Sequence, residues 1–240
     1  GLSRHDLRRL RVAGLLRRPY TGVYVPADLP DDVDLRARAA ALVLPAHTVL
    51  VDRTAAWLWG VDCFDVHEAA TGPPPLEVVA LRGHTRTRRT AVYGAERDLA
   101  PTDITEVGGV PVTTPVRTAC DLACLWGRYS ALATLDAFAR EHALGVEDFQ
   151  RVLPRFRGRR GVVQLRELVP LVDPKAESRG ESFTRGIIHD EGIPAPRSQW
   201  WVEHRGRPVY RLDLAWPHLK VVVEYDGEEF HGDEQRAHDG

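Results

Sequence analysis

The chain has 240 residues, with 32 Lys and Arg against 34 Asp and Glu, for a formal net charge of −2. At 43% hydrophobic and 28% charged it has ordinary globular composition, long enough for one large domain or two to three small ones. That balance excludes a globally basic nucleic-acid coat, and no apolar run approaches the roughly 20 residues a membrane span needs.

Charge is nonetheless uneven, and nearly all of the basic charge is Arg, with Lys175 and Lys220 as the only lysines. At the N-terminus, Ser3 and Asp6 predict a capping box that opens a helix through about Ala13. Leu7 and Leu10 would form its inner face, and Arg4, Arg8 and Arg11 a basic outer stripe. Gly14 stops it, and LLRRPYTGVYV then reads as a β-hairpin turning around Pro19–Gly22, with Arg17 and Arg18 on its first strand. A basic helix leading into a basic hairpin is the ending of a winged helix-turn-helix. Arg4, Arg8, Arg11, Arg17 and Arg18 are therefore candidate phosphate contacts on DNA.

Residues 33–172 read as a mixed α/β region. Helices are expected at 33–44, 53–60, 115–126, 130–142 and about 161–171, and strands at 47–51, 76–81, 90–94 and 110–113. Cys63, Cys120 and Cys124 fit no metal or disulfide framework, and Cys120 and Cys124 read as small core residues of one helix. With no signal-peptide pattern at the N-terminus, a cytoplasmic protein is expected. Position 1 is not Met, so the natural start is expected to lie upstream.

From Asp173 the pattern changes. Residues 178–191 predict a helix closed by Gly192 and Pro194, and 199–205, 207–216 and 220–226 predict three strands. A four-residue loop at 217–220 pairs Trp216 with Val221, so that Asp213 faces Glu224 and Arg211 faces Asp226. Alternation then puts Arg211, Asp213, Glu224 and Asp226 on one side and the apolar side chains on the other. VVVEY reads as a buried central strand. Carboxylates directly across a ladder repel, and a hard divalent cation with oxygen ligands resolves the conflict. Such an ion also activates water and stabilises charge on a scissile phosphate. The competing reading is a polar sheet face with one acid paired to Arg211.

Residues 177–231, in the stretches ESRGESFTR, YRLDLAW and VVVEYDGEEFH, resemble the Vsr-related, PD-(D/E)XK-type nuclease domains of actinobacterial proteins. The resemblance implies Glu181 as the helix carboxylate, with Glu177 as the alternative. Asp213, Glu224 and Asp226 would be the strand acids and His231 a base or proton shuttle. Asp213, Glu224 and Glu181 would hold Mg²⁺ or Mn²⁺. Where the family usually has Lys, this chain has Asp226, which moves the water-orienting role toward His231. The implied αβββαβ core would lack its last helix and strand, as in a fragment of a longer protein.

The stretches SRHDLRRLRVAGLLRRPYTGVYV, VDRTAAWLWGVD and GVPVTTPVRTACDLA resemble the AbiEi-type antitoxin architecture, a DNA-binding winged helix followed by an α/β domain. The whole is expected to be an α+β chain: a partial winged helix at 1–30, an antitoxin-like middle domain at 31–172 and an incomplete nuclease-like domain at 173–240. The expected function is a Mg²⁺-dependent endonuclease acting on DNA. The alternative is a non-catalytic antitoxin-type regulator with a vestigial nuclease fold. A toxin partner or a homodimer is compatible with either.

Overall fold

A computed structural model describes residues 2–63, 75–88 and 92–225; the expected Asp226 and His231 lie outside the described residues. The fold is mixed α+β, and its contacts divide it into two compact units, Gly1–Leu122 and Ala123–Gly240.

In the first unit, α1 (Arg4–Val12) starts where expected. The Ser3 hydroxyl accepts from the Asp6 N–H at 3.2 Å, and the Asp6 carboxylate accepts from the Ser3 N–H at 3.0 Å. Strands β1 (Leu16–Tyr20) and β2 (Val23–Pro26) follow as an antiparallel hairpin closed by Thr21–Gly22. After α2 (Val33–Ala41), a five-stranded sheet forms from β3 (Thr48–Leu50), β4 (Leu76–Leu81), β5 (Val92–Arg97), β6 (Ile104–Val107) and β7 (Val110–Thr113). Its order is β5-β4-β3-β7-β6, with β3 antiparallel to β4 and parallel to β7. Helix α3 (Asp52–Leu58) intervenes between β3 and β4.

The central position of β3 explains its composition, because all three of its residues are buried and both its faces must be covered. Leu50, Leu76, Val78 and Val112 pack in one cluster with Tyr20 and Val23 of the hairpin and Val33, Ala37 and Ala40 of α2. Val49, Val51, Val79 and Leu99 form the cluster on the opposite side. The hairpin therefore shares a core with the sheet, and the expected boundary near residue 30 does not separate two bodies. Strand β6 was not expected from the sequence. Its signal is the Gly108–Gly109 pair, which turns it back antiparallel onto β7.

A chain of buried charges ties this unit together. Arg97 grips Asp52 through two contacts of 2.8–2.9 Å and reaches Asp121 at 2.7 Å. Arg117 binds Asp121 at 3.0 Å and Asp103 at 2.7 Å. Burial alone would lower the Arg97 pKa, but Asp52 and Asp121 more than offset it and the guanidinium is held protonated.

Helix α4 (Pro115–Leu125) leads to the second unit, which contains α5 (Arg128–Glu141), α6 (Val146–Val152), α7 (Val162–Leu168) and α8 (Arg179–Asp190). Cys120 and Cys124 of α4 are buried in the core, as their helical spacing suggested. Helix α5 packs along α8, and Arg185 of α8 donates to buried Asp136 of α5 at 2.6 Å. This pairing places residues 128–168 with the C-terminal segment rather than with a middle domain ending at 172. Strands β8 (Arg197–His204), β9 (Arg207–Trp216) and β10 (Val221–Val223) complete the unit as an antiparallel meander, ordered β10-β9-β8.

Ile188 of α8 packs with Leu214, Trp216 and Val223, so the helix covers the apolar side of the hairpin. Among the described residues β10 is an edge strand with Val221 and Val222 each 47% exposed. The expectation of a buried central strand fails, because no described strand pairs on its far side. Among the described residues no helix is long and apolar enough to cross a membrane.

Candidate functional site

The acidic hairpin has the register read from its sequence. Val221 pairs with Trp216, Val222 with Ala215 and Val223 with Leu214, and the next step sets Glu224 against Asp213. One Asp213 oxygen accepts the Tyr225 N–H at 3.0 Å, so the acid pair is held just past the end of the ladder. Glu224 is pushed up from the ordinary glutamate range, first by burial and then by the charges of Asp213 and Glu181. The charges of both neighbours act on Glu224 in the same direction.

Glu181 enters from α8. Ser178 is the N-cap, its hydroxyl accepting the Glu181 N–H at 3.1 Å. The Glu181 side chain is 5% exposed and accepts from the Glu177 N–H at 3.2 Å. The alternative carboxylate, Glu177, is turned away and pairs with Arg211 at 2.6 Å. Arg211 was expected to face Asp226, and within the described residues its partner is Glu177. Gly180 makes the approach possible, since a Cβ there would meet the Tyr225 ring at 2.1 Å.

Sequence reasoning missed Gln199. The β8–β9 register places it across from Asp213, between the pairs Ser198–Leu214 and Trp200–Leu212. Its amide nitrogen donates to Glu181 at 2.8 Å and lies 3.5 Å from an Asp213 oxygen. Its Oε1 is buried without a hydrogen-bond partner, and its backbone has φ 52°. A strained backbone and an orphaned buried oxygen beside two acids mark this as a stressed locality. Among the described residues, no three His, Cys, Asp or Glu side chains are grouped to hold a metal ion. The amide nitrogen stands between two of the acids instead.

The basic candidates lie in the first unit. Arg4, Arg8 and Arg11 are exposed on α1, none of whose residues is buried. Arg18 is exposed on β1. Arg17 departs from expectation. Its guanidinium donates to the carbonyls of Leu29 and Pro30 at 3.1 and 3.0 Å and pairs with Asp31 at 2.8 Å. It ties the hairpin to the segment before α2 and is not presented to a phosphate.

Comparison with known proteins bears on residues 46–171 in particular. The AbiEi antitoxin C-terminal domain family matches residues 46–171, more than half of the chain. The chain belongs to this family. The match takes in the five-stranded sheet and helices α4 to α7, and it ends before α8 and the acidic hairpin. Two relatives extend the similarity further, "Uncharacterized protein MT2308" of Mycobacterium tuberculosis (strain CDC 1551 / Oshkosh) and "Uncharacterized protein Rv2248" of Mycobacterium tuberculosis (strain ATCC 25618 / H37Rv). Each is 34% identical over 223 residues, covering 91% of this chain and 76% of the relative. The AbiEi-type resemblance read from the sequence thus holds over residues 46–171. The family match does not reach the acids on which the nuclease resemblance rests.

Proposed function

We propose that this AbiEi-family chain is an antitoxin-type regulator that binds DNA through α1 and the β1–β2 wing. The observation that carries the reading is the row Arg4, Arg8, Arg11 on a helix with no buried residue, running into a hairpin that is anchored in the core. None of the three pairs with a carboxylate among the described residues. An unpaired guanidinium row on a rigidly based helix suits phosphate contacts, which release counterions and make affinity fall with salt. A toxin partner follows from the antitoxin reading.

The test is a salt titration of binding to a labelled DNA duplex. The triple variant R4A/R8A/R11A is expected to reduce the slope of log affinity against log salt by about 0.9 per lost contact, about 3 in all. An unchanged slope would remove α1 from the interface.

One observation favours a second reading, that of a metal-dependent phosphodiesterase: the gathering of Glu181, Asp213 and Glu224 with the orphaned Oε1 of Gln199. All are hard oxygen donors of the kind Mg²⁺ or Mn²⁺ takes, and such an ion would supply an activated water. Turning the Gln199 amide over would exchange its donor nitrogen for Oε1 and leave the acids without a donor between them. The raised pKa of Glu224 then gives a pH signature. Its proton is retained above the ordinary range of about 4.5, so a divalent ion must displace it. Mn²⁺ affinity measured by calorimetry is expected to rise as pH increases from that range through the raised folded value, and to level off above it. Affinity that stays flat over this window would mean Glu224 is not a ligand. Cleavage of DNA with Mg²⁺ or Mn²⁺, abolished by D213A, is the direct assay; failure of both metals leaves the regulator reading alone.

A further inference from the structure

A second cluster of like charges lies in the first unit, away from α1. The hairpin turn, the segment entering β3 and the loop after β4 enclose a cleft of about 790 Å³, lined among others by Arg18, Thr21, His47, Arg86, Thr87 and Arg88. We propose that this cleft is a phosphate clamp that seats a phosphodiester of the DNA backbone, extending the interface from the wing onto the α/β sheet. The proposal rests on the DNA-binding reading above.

Three observations carry it. Arg18, Arg86 and Arg88 are all exposed, and none makes an ion pair among the described residues. Their neighbours in the chain do pair: Arg17 with Asp31 and Arg82 with Asp98. Three unpaired guanidinium groups around one cleft repel one another, and a phosphate oxygen is the ligand their forked donors match.

The loop that brings two of them in is fixed from both sides. The His84 ring stacks on His47 with centroids 4.4 Å apart, and His47 Nε2 lies 3.4 Å from the Thr85 carbonyl. Farther along, Thr87 crosses β5 at Gly94, where a Cβ would meet the Thr87 carbonyl oxygen at 2.2 Å. A clamp needs this, since donors on a loose loop lose their advantage to ordering entropy. Finally, the Thr87 hydroxyl is buried with no hydrogen-bond partner, a donor that a phosphate oxygen would satisfy.

The arginines stand at the surface, so the anion belongs to something that itself remains outside, as a polymer backbone does. Arg18 also belongs to β1, the first strand of the hairpin that follows α1 in the chain.

The experiment compares R86A/R88A with the parent chain for binding to a labelled DNA duplex across a salt series. R82A serves as the control that removes a like charge from the same loop. The double variant is expected to lose about 1–2 from the slope of log affinity against log salt, with an unchanged melting temperature, while R82A keeps the parent slope. Three results would overturn the proposal. The first is a parent that binds DNA and a double variant with the same slope, which removes the cleft but spares the DNA reading. In the second, calorimetry shows inorganic phosphate binding that the double variant loses while its DNA affinity is intact, which makes the site one for free phosphate. The third is no DNA binding by the parent, in which case the DNA reading itself has failed.

Discussion

Replacing Arg117 with alanine is expected to lower the unfolding free energy of the first unit by about 3–5 kcal/mol, among the largest effects of any single substitution. Arg117 is 5% exposed and stands between Asp103 and Asp121, which are 2% and 0% exposed. Without it, Asp121 keeps Arg97 at 2.7 Å, and Asp103 keeps the Ala100 N–H at 3.0 Å. Asp121 would then share with Asp52 a guanidinium that Asp52 already grips through both oxygens, and Asp103 would lose its ion pair with Arg117. The cost comes from stranding those charges and not from losing attraction, because the desolvation of the acids is no longer offset. R117K separates the two effects. It restores the charge without the fork that holds Asp121 through Nε and Asp103 through Nη1, and so should recover part of the loss. Urea titration is the measurement. A midpoint shift at constant slope reports stability, and a loss under 1 kcal/mol would show that the network contributes little.

The second large effect concerns Asp213. D213N removes one of two like charges across the hairpin, and such pairs cost roughly 0.2–1 kcal/mol. In metal-free buffer the variant should therefore melt slightly above the parent. The pH dependence gives the sign. A carboxyl whose folded pKa is raised adds stability below its unfolded pKa and loses it as pH rises through the folded value, which applies to Glu224. The gain in D213N should thus be largest above that window, where Glu224 is ionised beside Asp213 in the parent, and small at pH 4. With Mn²⁺ at a hundredfold over its dissociation constant the parent should gain about 2.7 kcal/mol and D213N essentially nothing, so the order of stability reverses. Thermal melts with and without the ion check this. If neither chain responds to the ion, the carboxylates are held by Gln199 and the Glu177 and Tyr225 N–H groups, and the regulator reading needs no metal.

Much of the candidate site was legible because hairpin geometry is local. A four-residue connection after Trp216 leaves one way for VVVE to return, so the facing of Asp213 and Glu224 followed from counting. The Ser3–Asp6 cap and the Ser178 cap, which sets Glu181 in the first turn of α8, are equally local. Gln199 was not legible, for a reason that can be named. Counting back from the Arg205–Gly206 turn with the pair His204–Arg207 would set Ser198 against Asp213. The irregularity between Val202 and Glu203 shifts the register by one and delivers Gln199 instead.

The sequence by itself determined the caps, the β1–β2 hairpin, most helices and the acidic hairpin, since each depends on contacts between residues near in the chain. Tertiary structure decided three things that no spacing encodes. It gave the hairpin a common core with the sheet, committed Arg17 to Asp31 while leaving Arg18 unpaired, and brought the 84–88 loop to the wing. In each, partners distant in sequence meet only because an apolar cluster draws their supporting elements together. The charge of a side chain is written in the sequence, and whether it finds a partner is settled by packing.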